Sequence, residues 1–406
     1  MIIFFIRKIP DLDNITPIIY KFAKETNDKI YIIKTDFADK FIEDFRINFL
    51  LKNDKICFLN INELFIFSFL QKILYNIVFR KNLLCKLLNF ILFINYFYKK
   101  ILNIFFKEIK INSIFLVKKT VVIDHLLFSK LYFLNHFILK ERNNINLISI
   151  PHGIPLLKKH NKEWNIAKKD LSKLSHKVDK IVIQHKWWLK ELKEYKINNN
   201  YSLIVSARFE KNWILKYLQI LPKDKIEETN KIKIVYMSAN SINHIDHDYL
   251  KEETIKYLAS NNKIILKYKP HPRTNKLYRS LPNNVENVYK INSLNLIKWA
   301  DIIIGDISSI MIDVLIMNKL YISLKYLRHD NNELLYEYYN SCTKFDKIET
   351  FKKYINNIPN NKISDYFSNE INKYSDGKNE FLKDVVFNNS NDVAKEYLDL
   401  IQNHNK

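Results

Sequence analysis

The sequence predicts an α/β protein of two successive parallel-sheet domains facing each other across a cleft. Three observations carry this expectation. The chain has 406 residues, too many for one ordinary core. Short apolar, β-branched runs alternate with amphipathic helical patterns, as in a parallel sheet covered by helices. The alternation then restarts after the polar stretch "PKDKIEETNK", Pro222 to Lys231.

The first domain is expected over residues 1–222. Its strands are read at Ile2–Ile6, Lys29–Lys34, Ile56–Leu59, Ser113–Leu116, Thr120–Ile123, Leu147–Ile150, Lys180–Gln184 and Leu203–Ser206. Ile15–Glu25 and Leu126–Lys140 read as amphipathic helices between them. A helical insertion occupies about residues 62–110. Its most apolar part, Leu87 to Lys110, is interrupted by Asn89, Asn95, Lys99 and Lys100, so it does not reach the length of a bilayer span. It reads as a helix packed between layers or as an interfacial helix with a basic rim.

The second domain is expected over 223–387. Lys231–Ala239 and Lys263–Pro270 read as strands on either side of a helix at Asp248–Ser260. The strand in "ADIIIGD", a helix at Ser308–Met317 and a strand at Lys319–Leu324 follow. Residues 388–406 read as one helix and a polar tail.

Hydrophobic residues make up 47% of the chain and aromatic residues 14%, which excludes a disordered polymer. The net charge of +22 fits an anionic membrane surface, anionic small molecules or polymers, or nucleic acid. It also fits a composition rich in Lys, Asn, Ile, Phe and Tyr and poor in Gly, Ala and Pro, as codon bias would give. No compact Lys/Arg block, zinc-finger or RNA-recognition signature stands out, so nucleic acid is not an expected partner. Cys57, Cys85 and Cys342 are odd in number and match no disulfide or metal framework, which fits a reducing cytoplasm. The N-terminal "MIIFFIRKIPDLDN" lacks a basic leader and a small-residue cleavage site, and reads as a first strand.

Three motifs can carry chemistry. In "ISIPHGIPLLK" a strand runs into His152 and Gly153. Histidine is the side chain most easily poised for proton transfer near neutral pH, and ligands of open α/β sheets bind beyond the carboxyl ends of strands. In "LKYKPHPRTNK" a strand ends at His271, held between two prolines and flanked by Lys269 and Arg273, a setting for phosphate. In "ADIIIGDISSIMIDVLIMNKLYIS" Gly305 is one of only three glycines in the chain. Asp306, Ser308 and Ser309 follow it at a strand-to-helix turn, and Asp313 lies one helical turn beyond Ser309. Such a turn offers free N–H groups to an anion; its plainer use is helix capping. Arg7, Asp11 and Asp13 follow the first strand, and either carboxylate is a rival to His152 as a base.

The order His-Gly, "KPHPR", then Gly-Asp-Ile-Ser-Ser with Asp313 resembles the CDP-glycerol glycerophosphotransferase family of teichoic-acid and capsule synthesis. That family has a strand-ending His-Gly, a later His-Pro and a Thr-Asp-Tyr-Ser-Ser segment with a downstream Asp. "VSARFEKNW" (Val205–Trp213) and "YSDGKNEF" (Tyr374–Phe381) resemble two further segments of it, so the likeness covers roughly Ile148 to Phe381. The His-Pro and Ser-Ser pair is also similar to that of bacterial sialyl- and polysialyltransferases. Departures are Gly305 in place of Thr, Ile307 in place of an aromatic residue, and Pro151 in place of Trp.

The resemblance implies a GT-B fold, two Rossmann-like domains facing each other across a cleft, with a CMP- or CDP-linked donor as substrate and no cofactor or catalytic metal. It implies His152 as general base and His271 at the donor phosphate and departing CMP. It places Gly153, Lys269, Arg273, Gly305, Asp306, Ser308, Ser309 and Asp313 at the donor. The implied partners are a nucleotide-activated donor, a glycan or lipid-linked acceptor and an anionic membrane surface, the enzyme being cytoplasmic or peripheral on the inner face of the cytoplasmic membrane. A CMP-sialic-acid-type sialyl- or polysialyltransferase is the alternative. A non-catalytic basic membrane- or polymer-binding protein on the same scaffold is the second.

Overall fold

The computed structural model describes residues 1–6, 11–34, 44–60, 119–124, 145–151, 153, 156, 178–194, 200–223, 230–238, 248–271, 281–305, 309–328, 334–359, 363–387 and 392–403. The chain divides into two compact units. The first is Met1–Ile154, Asn161–Lys216 and Ser390–Lys406; the second is Pro155–His160 and Tyr217–Asn389.

Among its described residues the first unit holds strands β1 (Ile2–Ile6), β2 (Ile30–Lys34), β3 (Ile56–Asn60), β4 (Lys119–Asp124), β5 (Ile145–Ile150), β6 (Lys180–Ile183) and β7 (Tyr201–Leu203). They form one sheet in the order β3-β2-β1-β4-β5-β6-β7, every pair parallel. β1 is buried at all five positions, which explains its unbroken apolar sequence: a central parallel strand is covered on both faces. Helix α1 (Asp11–Glu25) lays Leu12, Ile15, Ile18, Ile19 and Phe22 on that sheet. α1 begins four residues before the expected start at Ile15. That start put Pro17 in the first turn, where it costs nothing; the helix instead carries Pro17 inside it.

Helices α2 (Phe45–Leu50), α3 (Lys186–Glu194) and α4 (Lys211–Ile220) follow. The last helix of the chain, Val393–Asn403, returns to this unit and packs on α1. Its first turn is tied down by three contacts: Ala394 N–H donates to Glu210 (3.1 Å), Lys395 N–H to Asp392 (2.9 Å), and Lys21 Nζ to Asp392 (2.6 Å). Burial pushes the Glu210 carboxyl above its ordinary pKa.

The second unit repeats the plan. β8 (Ile232–Met237), β9 (Ile264–Lys269), β10 (Glu286–Asn287), β11 (Ile302–Gly305), β12 (Leu320–Leu324) and β13 (Thr343–Phe345) form a parallel sheet in the order β10-β9-β8-β11-β12-β13. Helix α5 (Asp248–Ser260) falls where the sequence places it, and α6 (Ser293–Trp299), α7 (Ile310–Ile316), α8 (Leu335–Tyr338), α9 (Ile348–Asn356), α10 (Ile363–Asn372) and α11 (Ser375–Phe381) follow. Val393–Asn403 is α12. Strands β10 and β13 are two and three residues long and carry no apolar run, so no strand is expected at either.

In α11 a Cβ on Gly377 would overlap the carbonyl oxygens of Tyr339 and Asn340. The helix therefore approaches that turn by backbone alone. No described helix is long and apolar enough to cross a membrane. The expected strand Ser113–Leu116, helix Leu126–Lys140 and insertion 62–110 lie outside the described residues.

Candidate functional site

In each unit the strand order reverses once, between β1 and β4 in the first and between β8 and β11 in the second. The carboxyl ends of those strands form the crevice where open α/β sheets take ligands.

In the second unit three loops leave the sheet at this edge. β8 ends at Met237, which is in register with Gly305 of β11 and Lys269 of β9. Ser238 follows β8, and its N–H donates to the Lys269 carbonyl at 3.0 Å. His271 stands two residues beyond Lys269 and is half-buried. Ser309 stands four residues beyond Gly305 as the residue before α7; it makes no side-chain capping bond. Asp313 is buried within α7. Lys269 turns aside from this edge: its ammonium donates to the carbonyls of Tyr289 (2.7 Å), Ile291 (2.5 Å) and Val288 (3.4 Å) and so fixes the turn after β10.

The reason for Gly305 lies in packing rather than in backbone conformation. Its φ is not in the left-handed region. A Cβ there would stand 2.5 Å from the Tyr321 hydroxyl oxygen. Tyr321 is 1% exposed and its ring meets Tyr336 edge-on at 5.8 Å, so it has little room to move. Gly305 makes space for a neighbouring strand's ring; it does not relax the turn. Gly305→Ala is expected to cost about 1–3 kcal/mol by overpacking, read as a lower thermal midpoint. Tyr321→Phe in the same chain restores part of the loss, the remainder reflecting the ring carbons that a Cβ would still meet at 3.0 and 3.1 Å. An unchanged midpoint for Gly305→Ala would contradict the packing argument.

Behind this edge lies a buried ion pair. Arg328 Nη2 donates to Glu337 Oε1, and Ser323 Oγ donates to the same oxygen at 2.6 Å. The side chains are 3% and 1% exposed. Burial works against the Arg328 charge, but the Glu337 carboxylate beside it holds the guanidinium above its ordinary pKa. Burial pushes the neighbouring Cys342 thiol up as well.

In the first unit the crevice at β1 and β4 contains a recess lined by Phe4, Phe5, Asp11, Ile15, Val122, Ile123, Ile150 and Pro151. Asp11, the first residue of α1, is 4% exposed and is the one acid among these lining residues. Asp13 has a different setting. Its two oxygens meet the guanidiniums of Arg46 and, at 3.3 Å, Arg208. Arg46 is held from the other side by Asp44 at 2.7 Å and 2.9 Å. The two carboxylates that the sequence leaves equivalent are thus distinct: Asp13 neutralises two arginines, and Asp11 faces the recess.

The segment "VSARFEKNW" is used structurally in this unit. Ser206 Oγ donates to Asn14 at 2.5 Å, Arg208 reaches Asp13, and Glu210 caps α12. Trp213 packs against Tyr20 at 6.0 Å and Phe49 at 6.4 Å. Gly153 has no left-handed φ, and a Cβ there would meet nothing within 4 Å. The free backbone does not require glycine at that position. Arg7, His152, Arg273, Asp306 and Ser308 lie outside the described residues.

The sequence reading missed Ser238, Lys251, Arg328 and Glu337. Ser238 was readable as the first polar residue after an apolar strand. The other three give no local signal, because their partners lie on other elements.

Two parallel sheets, each with helices and each with one reversal after its third strand, define a GT-B-like protein of two Rossmann-type units. No protein-family model and no curated protein matches the chain. Solved structures do. The S. aureus MnaA–UDP co-structure is similar at a TM-score of 0.57 with 9% identity, over 99% of this chain and 96% of that one. The UDP-GlcNAc 2-epimerase of Methanocaldococcus jannaschii is similar at 0.55 with 15% identity, over 99% of each chain. The wall teichoic acid polymerase TagF soaked with CDPG is similar at 0.53 with 13% identity, over all of this chain and 88% of that one. At such identities the likeness is one of fold.

Proposed function

We propose that the chain is a transferase that moves a glycosyl or polyol-phosphate group from a CMP- or CDP-activated donor to a hydroxyl of a cell-surface glycan. The observation that supports this most is topological. His271 and Ser309, from two motifs far apart in sequence, leave neighbouring parts of one sheet edge, at its switch point. That is where a nucleotide phosphate finds polar side chains and backbone N–H groups in a Rossmann unit. The solved structures of similar fold include a UDP co-structure and one soaked with CDPG, which is in keeping with a nucleotide-linked donor.

In this reading the second unit holds the donor. His271, Ser309 and, by resemblance, Arg273, Asp306 and Ser308 stabilise negative charge on the departing nucleotide, the contribution that dominates such chemistry. Lys269 acts indirectly by fixing the turn after β10, and Asp313 supports α7 from its buried face. The acceptor oxygen forms the new bond to carbon or phosphorus as the bond to the nucleotide phosphate breaks. Its proton passes to a general base. Asp11 and His152 are the two residues proposed for that base, and the recess favours Asp11. A CMP-sialic-acid donor is the glycosyl form of the same proposal. The acceptor is a glycan or lipid-linked polymer, reached at the inner face of an anionic membrane.

CMP and CDP are expected to raise the thermal midpoint of the native chain, and His271→Ala to reduce that shift. Incubation with a panel of CMP- and CDP-linked donors and measurement of released CMP identifies the donor. A native chain whose midpoint responds to neither nucleotide would overturn the proposal in favour of a non-catalytic binding protein.

A further inference from the structure

One exposed tyrosine of the second unit is carried on a turn that is held from several sides. Tyr289 is 59% exposed, even with the Lys290 ammonium 5.6 Å from the centre of its ring. A lone exposed tyrosine needs no explanation. The turn that carries this one does. Asn287 Oδ1 accepts from the Tyr289 N–H at 3.3 Å. The Lys269 ammonium gathers the carbonyls of Tyr289 and Ile291. Asn292 then ends the turn by capping α6, its side chain accepting from the Leu294 N–H at 2.9 Å. A lysine that ends a strand beside a candidate phosphate site is thus committed to holding a surface turn in one shape.

The place of that turn says what it is held for. In the register of β9 and β10, Asn287 pairs with Tyr268. One further bond, from the Val288 N–H to the Tyr268 carbonyl at 2.9 Å, keeps the chain beside β9. Tyr289 therefore comes level with Pro270, the residue before His271. The strand order is β10-β9-β8-β11. Hydrogen-bonded strands lie about 4.8 Å apart, so β10 is roughly 12 Å from the gap between β8 and β11. That is the reach of a nucleoside diphosphate from its phosphates to its base. A nucleotide with its phosphates at His271 and Ser309, and its ribose running along the edge toward β10, brings its base to Tyr289. A rigid aromatic ring suits that end of the ligand, because stacking gains contact area and orders little side-chain freedom.

We infer that Tyr289 is the platform on which the base of the donor nucleotide stacks. The inference rests on the donor site proposed above and gives that site its base-binding end. Stacking uses the π face that every base offers. The ring therefore sets affinity for the nucleotide and leaves the choice between cytosine and uracil to other contacts.

The test is calorimetric binding of CDP to the full chain, native and with Tyr289→Ala, Tyr289→Leu, Tyr289→Phe or Tyr289→Trp. Loss of a stacked base predicts CDP affinity lower by about five- to hundredfold in Tyr289→Ala. Tyr289→Leu falls with it, because leucine has bulk but no π face. Tyr289→Phe and Tyr289→Trp bind CDP at least as well as the native chain, and CDP quenches the fluorescence that the new tryptophan adds. Tyr249, 64% exposed in the first turn of α5, gives the comparison: Tyr249→Ala keeps native CDP affinity. Native affinity in Tyr289→Ala or in Tyr289→Leu overturns the inference and leaves the proposed function standing. So does a loss that appears in Tyr249→Ala instead. A loss in Tyr289→Phe equal to that in Tyr289→Ala assigns the effect to the hydroxyl and also overturns it. A native chain that binds neither CDP nor CMP overturns both the inference and the proposed function. Should Tyr289→Ala fail to fold, the contrast between Tyr289→Leu and Tyr289→Phe decides alone.

Discussion

Glu337→Gln is expected to destabilise the second unit by about 3–5 kcal/mol, the cost of stranding one member of a buried ion pair. The Arg328 guanidinium is 3% exposed and has no route to water when the carboxylate loses its charge. The glutamine keeps the volume and an acceptor for Ser323 Oγ, while its amide NH2 takes the place of the oxygen that accepts from the Leu334 N–H at 3.3 Å, so the loss reports the charge and that one backbone bond. For a unit of this size it corresponds to a fall in midpoint of about 6–20 °C. The measurement is thermal unfolding of the full chain with hydrogen exchange at β12 and α8, which assigns the transition to the second unit even if the two units unfold separately. Arg328→Met should cost about as much. The combination Arg328→Met, Glu337→Leu and Ser323→Ala removes the charges and the hydroxyl together and should recover most of the loss. A shift below about 1 kcal/mol for Glu337→Gln would mean that the pair is screened as a surface pair is. The pair lies under β12, the strand whose Tyr321 ring dictates Gly305.

The strands of this fold were largely legible because a central parallel strand is covered on both faces and its sequence must say so. β1, β2, β4 and β8 each carry four or more consecutive apolar or β-branched residues, and β9, β11 and β12 carry three. β10 and β13 sit at the sheet edge, need only a few backbone bonds, and leave no pattern. β7 runs from Tyr201 to Leu203, ahead of the more apolar stretch expected at Leu203–Ser206. The residues from Ile204 onward pack into the core without pairing as strand.

The site was legible in a different way. His271 and Ser309 were visible as punctuation at strand ends, because polar residues in such places are exposed to a ligand side. The residues behind them were not. Lys251 is one lysine among many in a basic chain, and it is buried against the Tyr236–Tyr268 pair on two strands. Glu337 and Arg328 find each other only after α8 folds back on β12. Gly305 shows the limit most plainly. Its rarity in a glycine-poor chain marked a constrained position correctly. The cause, a tyrosine on the next strand, could be read only from the packing.

Asp11→Asn is expected to lower the turnover number about 10²–10⁴-fold, the range for loss of a positioned general base, with the donor that the CMP-release assay identifies. CDP affinity should stay at the native value. The expectation follows from the contrast with Asp13. Both acids lie in the first turn of α1, two residues apart, and both favour that helix end as negative charges near its N-terminus. Asp13 is committed to Arg46 and Arg208. A base so paired would have to give up two ionic contacts to take a proton, and Asp13→Asn should show instead as lost stability, because Arg46 is buried and loses a carboxylate partner. Asp11 faces the recess at the β1–β4 reversal among apolar side chains. The recess there, about 10 Å³, admits no more than a single hydroxyl-sized group. Asparagine matches the carboxylate in shape, so the helix start and the recess survive the change, and the kinetic loss is separable from folding by an unchanged midpoint. His152 stands two residues beyond Ile150, which lines the same recess, and is the rival. If Asp11→Asn turns over normally while His152→Asn does not, the proton goes to the histidine and Asp11 is a residue of the recess wall. If Asp11→Asn alone is slow at an unchanged midpoint, the carboxylate is the base.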